Sequence, residues 1–370
     1  MAHAITVKVR PLTITLLVLV LLVYFFYTSD FAGQGALDHV PAPLTKPRKH
    51  PNVAHDDPFE PLAPWHNLSK QANAIIVIIG GDSEFDAVRH TMKQVETKFN
   101  SVYKYPYLFL DEEGFSTKFR KATTDLTEAT THYGYFPDHD FSYPPWVDEE
   151  QADRNRVVHG GSLSYQLTAR YNAGFFFRHP LLNGYDYYWR IDPSVEFLCN
   201  IDYDPFVFME ENDIKFSWTL ALNDSEQTMS TLWKTVKSFM RQYSSLIPKK
   251  NRLDFISDDD GRTYNTCYFG SNLEIGSLNF FRSSAYLRFF EYLDRTGGFF
   301  YERWSDAAVH SIAATMLLSP SEIHYFDDMG YRKSPFTHCP LQPELQLKCQ
   351  CDPEKRTDSC AKRWFRKKLT

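Results

Sequence analysis

An α/β fold is predicted by the order of apolar segments in the first third of the chain. Ala74–Ile79 is a continuous apolar run, as expected for a strand that is buried on both faces, and two glycines follow it. Apolar residues then recur at helical spacing over 85–99, and Tyr105–Leu110 forms a second apolar run that ends in the acidic triplet Asp111–Glu113. A strand, a helix and a second strand with acidic residues at its end predict a Rossmann-like, nucleotide-binding sheet.

The composition of the 370 residues narrows the class of protein. Apolar residues make up 43% and charged residues 23% of the chain, which excludes the disordered, collagenous and coiled-coil classes. The 30 Phe and 22 Tyr residues predict a dense core and clefts lined by aromatic rings, as in many proteins that bind carbohydrate. The formal net charge of −6 offers no basic face, so no nucleic-acid partner is expected.

A membrane anchor is predicted close to the N-terminus. Leu12–Tyr27 is apolar except for two threonines, and as a helix it would extend about 24 Å, against about 30 Å for a hydrocarbon core. Lys8 and Arg10 precede this run, which predicts a cytosolic N-terminus and a luminal remainder. The alternative is a cleaved signal peptide, but the bulky rings of Tyr24–Tyr27 are unfavourable at a cleavage site. We therefore expect an uncleaved type II signal-anchor.

The rest of the chain divides into a stem, one domain and a tail. Seven prolines between residues 29 and 70 indicate an extended stem. Asn67-Leu68-Ser69 and Asn223-Asp224-Ser225 are glycosylation acceptor triplets, which only a luminal protein could use. The predicted organisation is a cytosolic tail at 1–11, a transmembrane anchor at 12–28, a stem at 29–70, an α/β domain at 71–345 and a basic, cysteine-containing tail at 346–370.

Several ordered strings in the second half of the chain point to a known family. These strings are Tyr171–Leu182, Tyr185–Pro193, Ile201–Phe206, Ser271–Ile275, Gly297–Asp306, Val309–Ala313 and Thr337–Pro340. Together they resemble the fungal Golgi α-1,2-mannosyltransferases of glycosyltransferase family 15, from about Ala72 to Pro340. The resemblance implies a single-domain GT-A fold, GDP-mannose as the donor, a manganese ion and retention of the anomeric configuration.

The same resemblance implies a location, a product and partners. It predicts a Golgi membrane protein with a luminal catalytic domain that forms α-1,2 linkages on mannosylated glycoproteins, whose glycans could be N-linked, O-linked or mannan. Other Golgi mannosyltransferases are candidate partners. Two alternatives stay open: a weak or silent paralogue that serves as a mannan-binding or transferase scaffold, and a sugar-binding receptor of the secretory pathway. The presence of Glu274 and Asp306 argues against both.

Three residues are expected to carry the transfer chemistry. Glu274 matches the family's proposed nucleophilic glutamate, because a retaining transfer needs a carboxylate that attacks or stabilises the anomeric carbon. Asp306 matches a second family acid, which would bind or deprotonate the acceptor hydroxyl. Tyr165 matches a family tyrosine close to the reacting sugars. Without the resemblance, Glu274 would be interpreted as an exposed strand residue and Tyr165 as a core ring.

Asp192 is expected to bind the manganese ion, although its surroundings depart from the family pattern. Hard cations prefer oxygen ligands, and Asp192 follows an aromatic-rich strand. The family has Glu-Pro-Asp where this chain has Asp192-Pro193-Ser194, and Lys333 stands at the position of the family's histidine ligand. Both departures predict a weakened manganese site. An Asp-Pro pair by itself would indicate only a turn.

Positively charged residues are the candidates for contacts with the donor phosphates. Arg332 and Lys333 are expected to clamp the diphosphate together, and the alternative is a solvated basic turn. Arg170 and Arg178 could contact donor phosphates or acceptor hydroxyls, or form surface salt bridges. Gly81-Asp82 replaces an Arg-Asn pair that family members carry after the first strand, which puts one nucleotide contact in doubt.

The histidines and cysteines receive structural interpretations. His179 and His310 are expected to pack or to hydrogen-bond, and His310 is the more interesting because it follows Asp306 by one helical turn. In an oxidising lumen some of the six cysteines should pair, but their connectivity does not follow from the sequence. Cys349 and Cys351 could mimic part of a zinc site, yet no second ligand pair accompanies them.

Overall fold

Twelve strands are described in the computed structural model, which covers residues 70–366. They are β1 (Ala74–Ile79), β2 (Tyr107–Asp111), β3 (Thr131–Tyr135), β4 (Tyr187–Ile191), β5 (Glu196–Phe197), β6 (Phe216–Trp218), β7 (Ala221–Asn223), β8 (Cys267–Phe269), β9 (Leu273–Ser277), β10 (Ile323–Tyr325), β11 (Tyr331–Lys333) and β12 (Phe336–His338). Seven of them form the central sheet, in the order β10-β6-β9-β4-β1-β2-β3. Smaller sheets have the orders β12-β11-β5 and β7-β8.

The helices of residues 70–366 connect these strands. They are α1 (Phe85–Val95), α2 (Ser101–Tyr103), α3 (Thr117–Thr124), α4 (Glu149–His159), α5 (Leu163–Gly174), α6 (Pro205–Glu211), α7 (Leu232–Gln242), α8 (Leu253–Ile256), α9 (Leu278–Phe281), α10 (Ser284–Asp294), α11 (Gly298–Tyr301), α12 (Asp306–Leu317), α13 (Pro343–Gln346) and α14 (Ala361–Trp364). A π-helical segment, Glu96–Asn100, joins α1 to α2. Short 3-10 turns are Asp82–Glu84, Phe176–Arg178, Pro180–Leu182, Glu226–Thr228, Ser244–Leu246, Pro320–Glu322 and Pro353–Lys355.

The direction of the strands places several loops at one edge of the central sheet. β1 is parallel to β2 and β4, and β2 is parallel to β3, so the carboxyl ends of these four strands meet at the same edge. β9 is antiparallel to β4 and to β6, and therefore begins at that edge. In α/β sheets this is the edge at which ligands bind.

Side chains alternate between the two faces of the sheet and divide the core into two layers. Ile75 and Val77 of β1 belong to the layer that contains α5 and α12, whereas Ile76 and Ile78 belong to the layer that contains α1. The predicted strand at Ala74–Ile79 is confirmed, because burial on both faces requires a continuous apolar run. The mixed α/β fold class is likewise confirmed.

The membrane anchor belongs to a part of the chain that the structure does not describe. The predicted cytosolic tail, the anchor at 12–28 and the stem up to residue 69 all lie outside the described residues. Within 70–366, every helix is too short or too polar to cross a bilayer.

Three disulfides fix the C-terminal segment to the rest of the molecule. The pairs are Cys199–Cys349, Cys267–Cys360 and Cys339–Cys351, so all six cysteines are bonded. The expectation that some cysteines pair is confirmed. The expectation that 346–370 is a tail outside the core is wrong as far as residue 366, because each disulfide brings one cysteine of this segment against an earlier element.

Trp364 shows why the tail prediction fails. Its ring lies 5.6 Å from the ring of Trp218 and 5.7 Å from that of Phe269, and the Arg252 guanidinium lies 3.9 Å from its centroid. Trp364 is buried, whereas the neighbouring Lys362 is exposed. Lys355 and Lys362, which suggest a tail, are exposed, while Trp364 completes the core.

Replacing this ring should destabilise the whole domain. We expect Trp364→Ala to lower the free energy of unfolding by about 3–5 kcal/mol, because a large buried side chain is lost and a cavity remains. The matched control Lys362→Ala removes an exposed side chain and should change stability by less than about 0.5 kcal/mol. Chemical denaturation of both variants measures the difference, and a Trp364→Ala variant as stable as Lys362→Ala would contradict this role.

Candidate active site

Acidic side chains gather at the carboxyl edge of the central sheet. Asp111 is the last residue of β2, Asp192 directly follows β4, and Glu274 is the second residue of β9. Asp306 begins α12, where a negative charge is favourable at the helix N-terminus. The predicted acids of the site therefore come from different elements and meet at one edge.

Asp192 lies beside a positively charged side chain. Its Oδ2 accepts hydrogen bonds from Lys333 Nζ at 2.8 Å and from Asn272 Nδ2 at 2.9 Å. Burial alone would raise the pKa of Asp192, but the charges of Lys333 and Arg190 outweigh it and lower that pKa. Asp192 is consequently an anion whose neutralising partner is supplied by the protein.

The described residues do not fit a manganese ion as they are arranged. Among residues 70–366, three ligand atoms of His, Cys, Asp or Glu converge only at Cys199, Cys349 and Cys351, and all three sulfurs are used in disulfides. Lys333 stands beside Asp192 Oδ2, and an ammonium group cannot serve as a metal ligand. Ser194 is exposed and supplies no carboxylate.

Arg332 does not share the position of Lys333, so the predicted joint clamp is wrong. Consecutive strand residues point to opposite faces, and in β11 Arg332 pairs across the sheet with Glu196 of β5. Its Nη2 lies 2.6 Å from Glu196 Oε2, and its side chain is 53% exposed. Of these two basic residues, only Lys333 contacts Asp192.

Arg170 is held inside the core, which contradicts its predicted contact with the donor. Its Nε and Nη2 donate to both carboxylate oxygens of Asp294 at 2.7 and 2.8 Å, and Nη1 donates to the carbonyl of Asp140 at 3.1 Å. The residue is only 3% exposed. Such a bidentate buried pair joins α5 to α10 and leaves the guanidinium no free edge for a phosphate.

Glu274 is buried and both of its oxygens accept hydrogen bonds. Oε1 accepts from Tyr188 Oη at 2.5 Å, and Oε2 lies 2.9 Å from His310 Nδ1. The residue is 2% exposed. Burial alone would raise the pKa of Glu274, but His310 and Arg190 outweigh it and lower that pKa to about 2. Glu274 is therefore a fixed anion, and the interpretation of it as an exposed strand residue is wrong.

Arg190 connects Glu274 with Asp306. It is the strand partner of Glu274 in the β4–β9 pair, and its Nη2 donates to Asp306 Oδ2 at 2.6 Å. Arg190 is 1% exposed, so its charge requires compensation by these acids. Arg190 is not among the predicted site residues, although a charged residue in the otherwise apolar strand Tyr187–Ile191 is a signal for a buried partner.

Tyr165 lies close to Asp306, at the exposed side of the site. It stands in the first turn of α5, is 36% exposed, and has the Arg303 guanidinium 4.8 Å from its ring centroid. Burial and the charge of Asp306 raise the pKa of Tyr165. Burial and the charges of Asp224 and Asp306 likewise raise the pKa of Tyr268 to about 12. Rings and carboxylates together form a surface suited to sugar hydroxyls.

The turn after β1 has a structural function in this chain. Asp82 accepts hydrogen bonds from Ser116 N and Ser116 Oγ, both at 2.6 Å, which fixes the start of α3. A Cβ on Gly81 would lie 2.3 Å from Asp111 Oδ2, so a larger residue here would displace the Asp111 carboxylate. Gly81 thus leaves room for the Asp111 carboxylate, and Asp82 holds the start of α3.

The two histidines that were expected to pack or hydrogen-bond differ in their surroundings. His179 Nε2 lies 3.1 Å from the carbonyl of Tyr135, and its Nδ1 accepts from the amide of Leu181. His310 Nε2 lies 3.2 Å from the carbonyl of Asn172, but its Nδ1 contacts the Glu274 carboxylate. The hydrogen-bonding interpretation is confirmed for both, and His310 additionally belongs to the site.

Comparison with known sequences places the chain among fungal mannosyltransferases. A family model described as glycolipid 2-alpha-mannosyltransferase matches residues 42–369. Glycolipid 2-alpha-mannosyltransferase 2 of Candida albicans is 42% identical over 311 residues, which cover 80% of this chain and 68% of that protein. Alpha-1,2 mannosyltransferase KTR1 of Saccharomyces cerevisiae is 44% identical over 291 residues, which cover 76% of this chain and 74% of that protein.

Two solved structures of fungal mannan-synthesising or mannosyl-transferring enzymes are similar to this chain in fold. Core-mannan synthase A of Aspergillus fumigatus, in its Mn/GDP form, is 36% identical, with a TM-score of 0.73 over 84% of this chain and 86% of that chain. The mannosyltransferase Ktr4p of Saccharomyces cerevisiae in complex with GDP is 30% identical, with a TM-score of 0.77 over 86% of each chain. The chain belongs to the glycolipid 2-alpha-mannosyltransferase family, glycosyltransferase family 15.

Proposed function

We propose that this glycosyltransferase moves mannose from GDP-mannose, with retention, to mannosyl termini of glycoproteins or mannan and forms α-1,2 linkages. The observation that carries the proposal is the fixed anionic Glu274, which lies with Asp306 at the ligand-binding edge of a GT-A-like sheet. The relatives whose names specify mannosyl transfer, at 42% and 44% identity, support it. Neither the fold nor the comparisons support the scaffold alternative.

Glu274 would act on the donor sugar through its negative charge. The transition state of a retaining transfer carries positive charge at the anomeric carbon, and a preorganised carboxylate stabilises that charge. Each oxygen of Glu274 already accepts one hydrogen bond, which disperses its negative charge and lowers its nucleophilicity, and the side chain is 2% exposed. The arrangement therefore favours electrostatic stabilisation by Glu274.

Asp306 and Tyr165 would orient the acceptor. Asp306 Oδ2 is engaged by Arg190, which leaves Oδ1 to accept a hydrogen bond from the attacking hydroxyl. Tyr165 exposes part of its ring on the solvent side of Asp306, where a mannosyl terminus could stack. Asp224 and Tyr268 extend the same surface.

Lys333 would neutralise part of the donor diphosphate. Manganese neutralises this charge when it is bound, and the Mn/GDP form of the Aspergillus fumigatus relative supports such an ion in the family. In this chain Lys333 already places an ammonium group at Asp192. A fixed cation can stabilise a phosphate leaving group without a metal. We therefore expect weaker dependence on manganese than a site with histidine and glutamate ligands would show.

A luminal Golgi location is part of the proposal. All six cysteines form disulfides, which is typical of proteins that fold in oxidising compartments. The apolar run at 12–27 with basic residues before it supports a type II anchor. Such a location would bring mannosylated glycoproteins and other mannosyltransferases within reach of the site.

A direct transfer assay tests the proposed reaction. The purified protein is incubated with GDP-mannose and either α-methyl mannoside or mannobiose, with manganese and with a chelator, and the product linkage is determined by NMR. We expect an added mannose in α-1,2 linkage with both acceptors. Binding of the acceptor without release of GDP would instead favour a sugar-binding protein.

Glu274→Gln should abolish transfer and preserve donor binding. The change removes the negative charge, so we expect less than about a tenth of the wild-type rate, which corresponds to at least ~1.4 kcal/mol of barrier. Glutamine can accept from only one of the two donors at this position, so a stability loss of about 1–3 kcal/mol is also expected. Calorimetry with GDP-mannose shows whether the site survives, and the exposed Glu344→Gln is the control. A substantially active Glu274→Gln would refute the assigned role.

Lys333 variants test the replacement of metal charge by protein charge. We expect Lys333→Ala to bind GDP-mannose at least about tenfold more weakly at every manganese concentration, a loss of ~1.4 kcal/mol. Lys333→His should restore a strong manganese requirement, because imidazole can ligate the ion beside Asp192. The exposed Lys355→Ala serves as the control. If Lys333→Ala binds GDP-mannose as tightly as the wild-type protein, Lys333 does not hold the donor diphosphate and the interpretation as a solvated basic turn is the better one.

A further inference from the structure

His310 contacts two hydrogen-bond acceptors inside the protein. Its Nε2 lies 3.2 Å from the backbone carbonyl of Asn172, and its Nδ1 lies 2.9 Å from Glu274 Oε2. The ring is 1% exposed, so solvent supplies no alternative partner. A carbonyl oxygen can only accept, and therefore Nε2 carries a proton. The remaining question is which group carries the proton between Nδ1 and Glu274.

The surrounding charges decide the position of this proton. Either Glu274 is a neutral acid that donates to Nδ1, or it is an anion that accepts from a protonated Nδ1. Arg190 is the strand partner of Glu274, and a neighbouring positive charge favours the anion. Tyr188 also donates to Glu274 at 2.5 Å, which further stabilises the charged form. The lowered pKa of Glu274 agrees with this assignment.

The balance of buried charges disfavours a third state, an ionised Glu274 beside a neutral His310 ring. The titratable or charged groups that face the His310–Glu274 pair come from three elements and are Tyr188 and Arg190 of β4, Asp306 of α12 and Tyr286 of α10. With His310 protonated, two cations (His310, Arg190) balance two anions (Glu274, Asp306). With a neutral ring beside an ionised Glu274, one negative charge would stay uncompensated, which is costly in a buried position.

We infer that His310 is a positioning residue that carries protons on both ring nitrogens and holds the Glu274 carboxylate anionic and in one orientation. This inference rests on the proposed function for its effect on transfer, but its protonation state can be measured without any substrate. The proton on Nδ1 fixes Oε2, and the carbonyl of Asn172 fixes the ring. Since that second acceptor belongs to the backbone of α5, the orientation of His310 depends on the fold and not on another side chain.

His179 provides an internal control with the opposite expectation. It is also buried, and its Nε2 also faces a backbone carbonyl, that of Tyr135. Its Nδ1, however, accepts a hydrogen bond from the amide of Leu181 and so carries no proton. Burial lowers the pKa of His179, in agreement with a neutral ring. The hydrogen-bond partners of the two rings therefore predict one proton on the His179 ring and two on the His310 ring.

Nitrogen NMR of the histidine rings tests the first part of the inference. Long-range proton–nitrogen correlations at neutral pH should show both nitrogens of His310 protonated and only Nε2 of His179 protonated. His310→Asn and His179→Asn assign the two signals by their loss. A single ring proton on His310 would overturn the inference. Because no substrate is added, this result does not depend on whether the protein transfers mannose.

The pH dependence of transfer tests the positioning role. His310→Asn keeps a neutral N–H donor near Oε2 but removes the charge, so the pKa of Glu274 should rise and the rate should begin to fall at a higher pH. We expect the ratio of kcat near pH 7.5 to kcat near about pH 5 to increase at least fivefold over wild type, with KM for GDP-mannose changed by less than about twofold. His179→Asn should leave the profile unchanged.

Each outcome of these experiments is informative. A His310→Asn profile identical to that of wild type would overturn the positioning role. If His310→Asn fails to fold, the NMR spectrum of the wild-type protein still decides the protonation state. If the wild-type protein transfers no mannose while His310 carries two protons, the proposed function fails and the assignment of the proton stands.

Discussion

Arg190 places a permanent positive charge inside the central sheet, and the acidic side chains of the site are arranged around it. A guanidinium keeps its proton at any pH at which proteins fold, so its burial in β4 must be compensated. Asp306 accepts a hydrogen bond from it at 2.6 Å, Glu274 is its strand partner, and its charge helps to lower the pKa of Asp192. These acids belong to different elements, and the need to balance Arg190 is a physical reason for their convergence.

Three of the four acids at this edge consequently have a balancing cation in the protein. Lys333 balances Asp192 at one end, and Arg190 with His310 balances Glu274 and Asp306 at the other. A donor with a charged diphosphate would meet strong repulsion from these three carboxylates if they were uncompensated, because electrostatic energies grow as the dielectric constant falls. Lys333, Arg190 and His310 reduce that repulsion before the donor binds. The chain's overall charge of −6 therefore says little about the field at the site.

The sequence was informative where one short segment determines the outcome. An apolar run suffices to predict β1, and a family string suffices to predict that Glu274 lies at the site. It was misleading for Arg170, because the acid that binds this arginine, Asp294, is 124 residues away. For Arg332 the decisive fact is the pairing of β11 with β5, which no local pattern contains. Trp364 was overlooked because basic neighbours dominate the composition of its segment.

The attachment of the C-terminal segment has a consequence for the order of events during biosynthesis. Cys199 can form its disulfide only after Cys349, 150 residues further along, has been synthesised. Cys267 likewise depends on Cys360, 93 residues further along. The Trp364 ring, which closes the aromatic cluster, belongs to α14 (Ala361–Trp364). Domains usually fold as units once their residues have emerged. The core of this domain therefore cannot close before α14 has been synthesised, and until then its unpaired thiols and open core are exposed to chaperones and oxidoreductases.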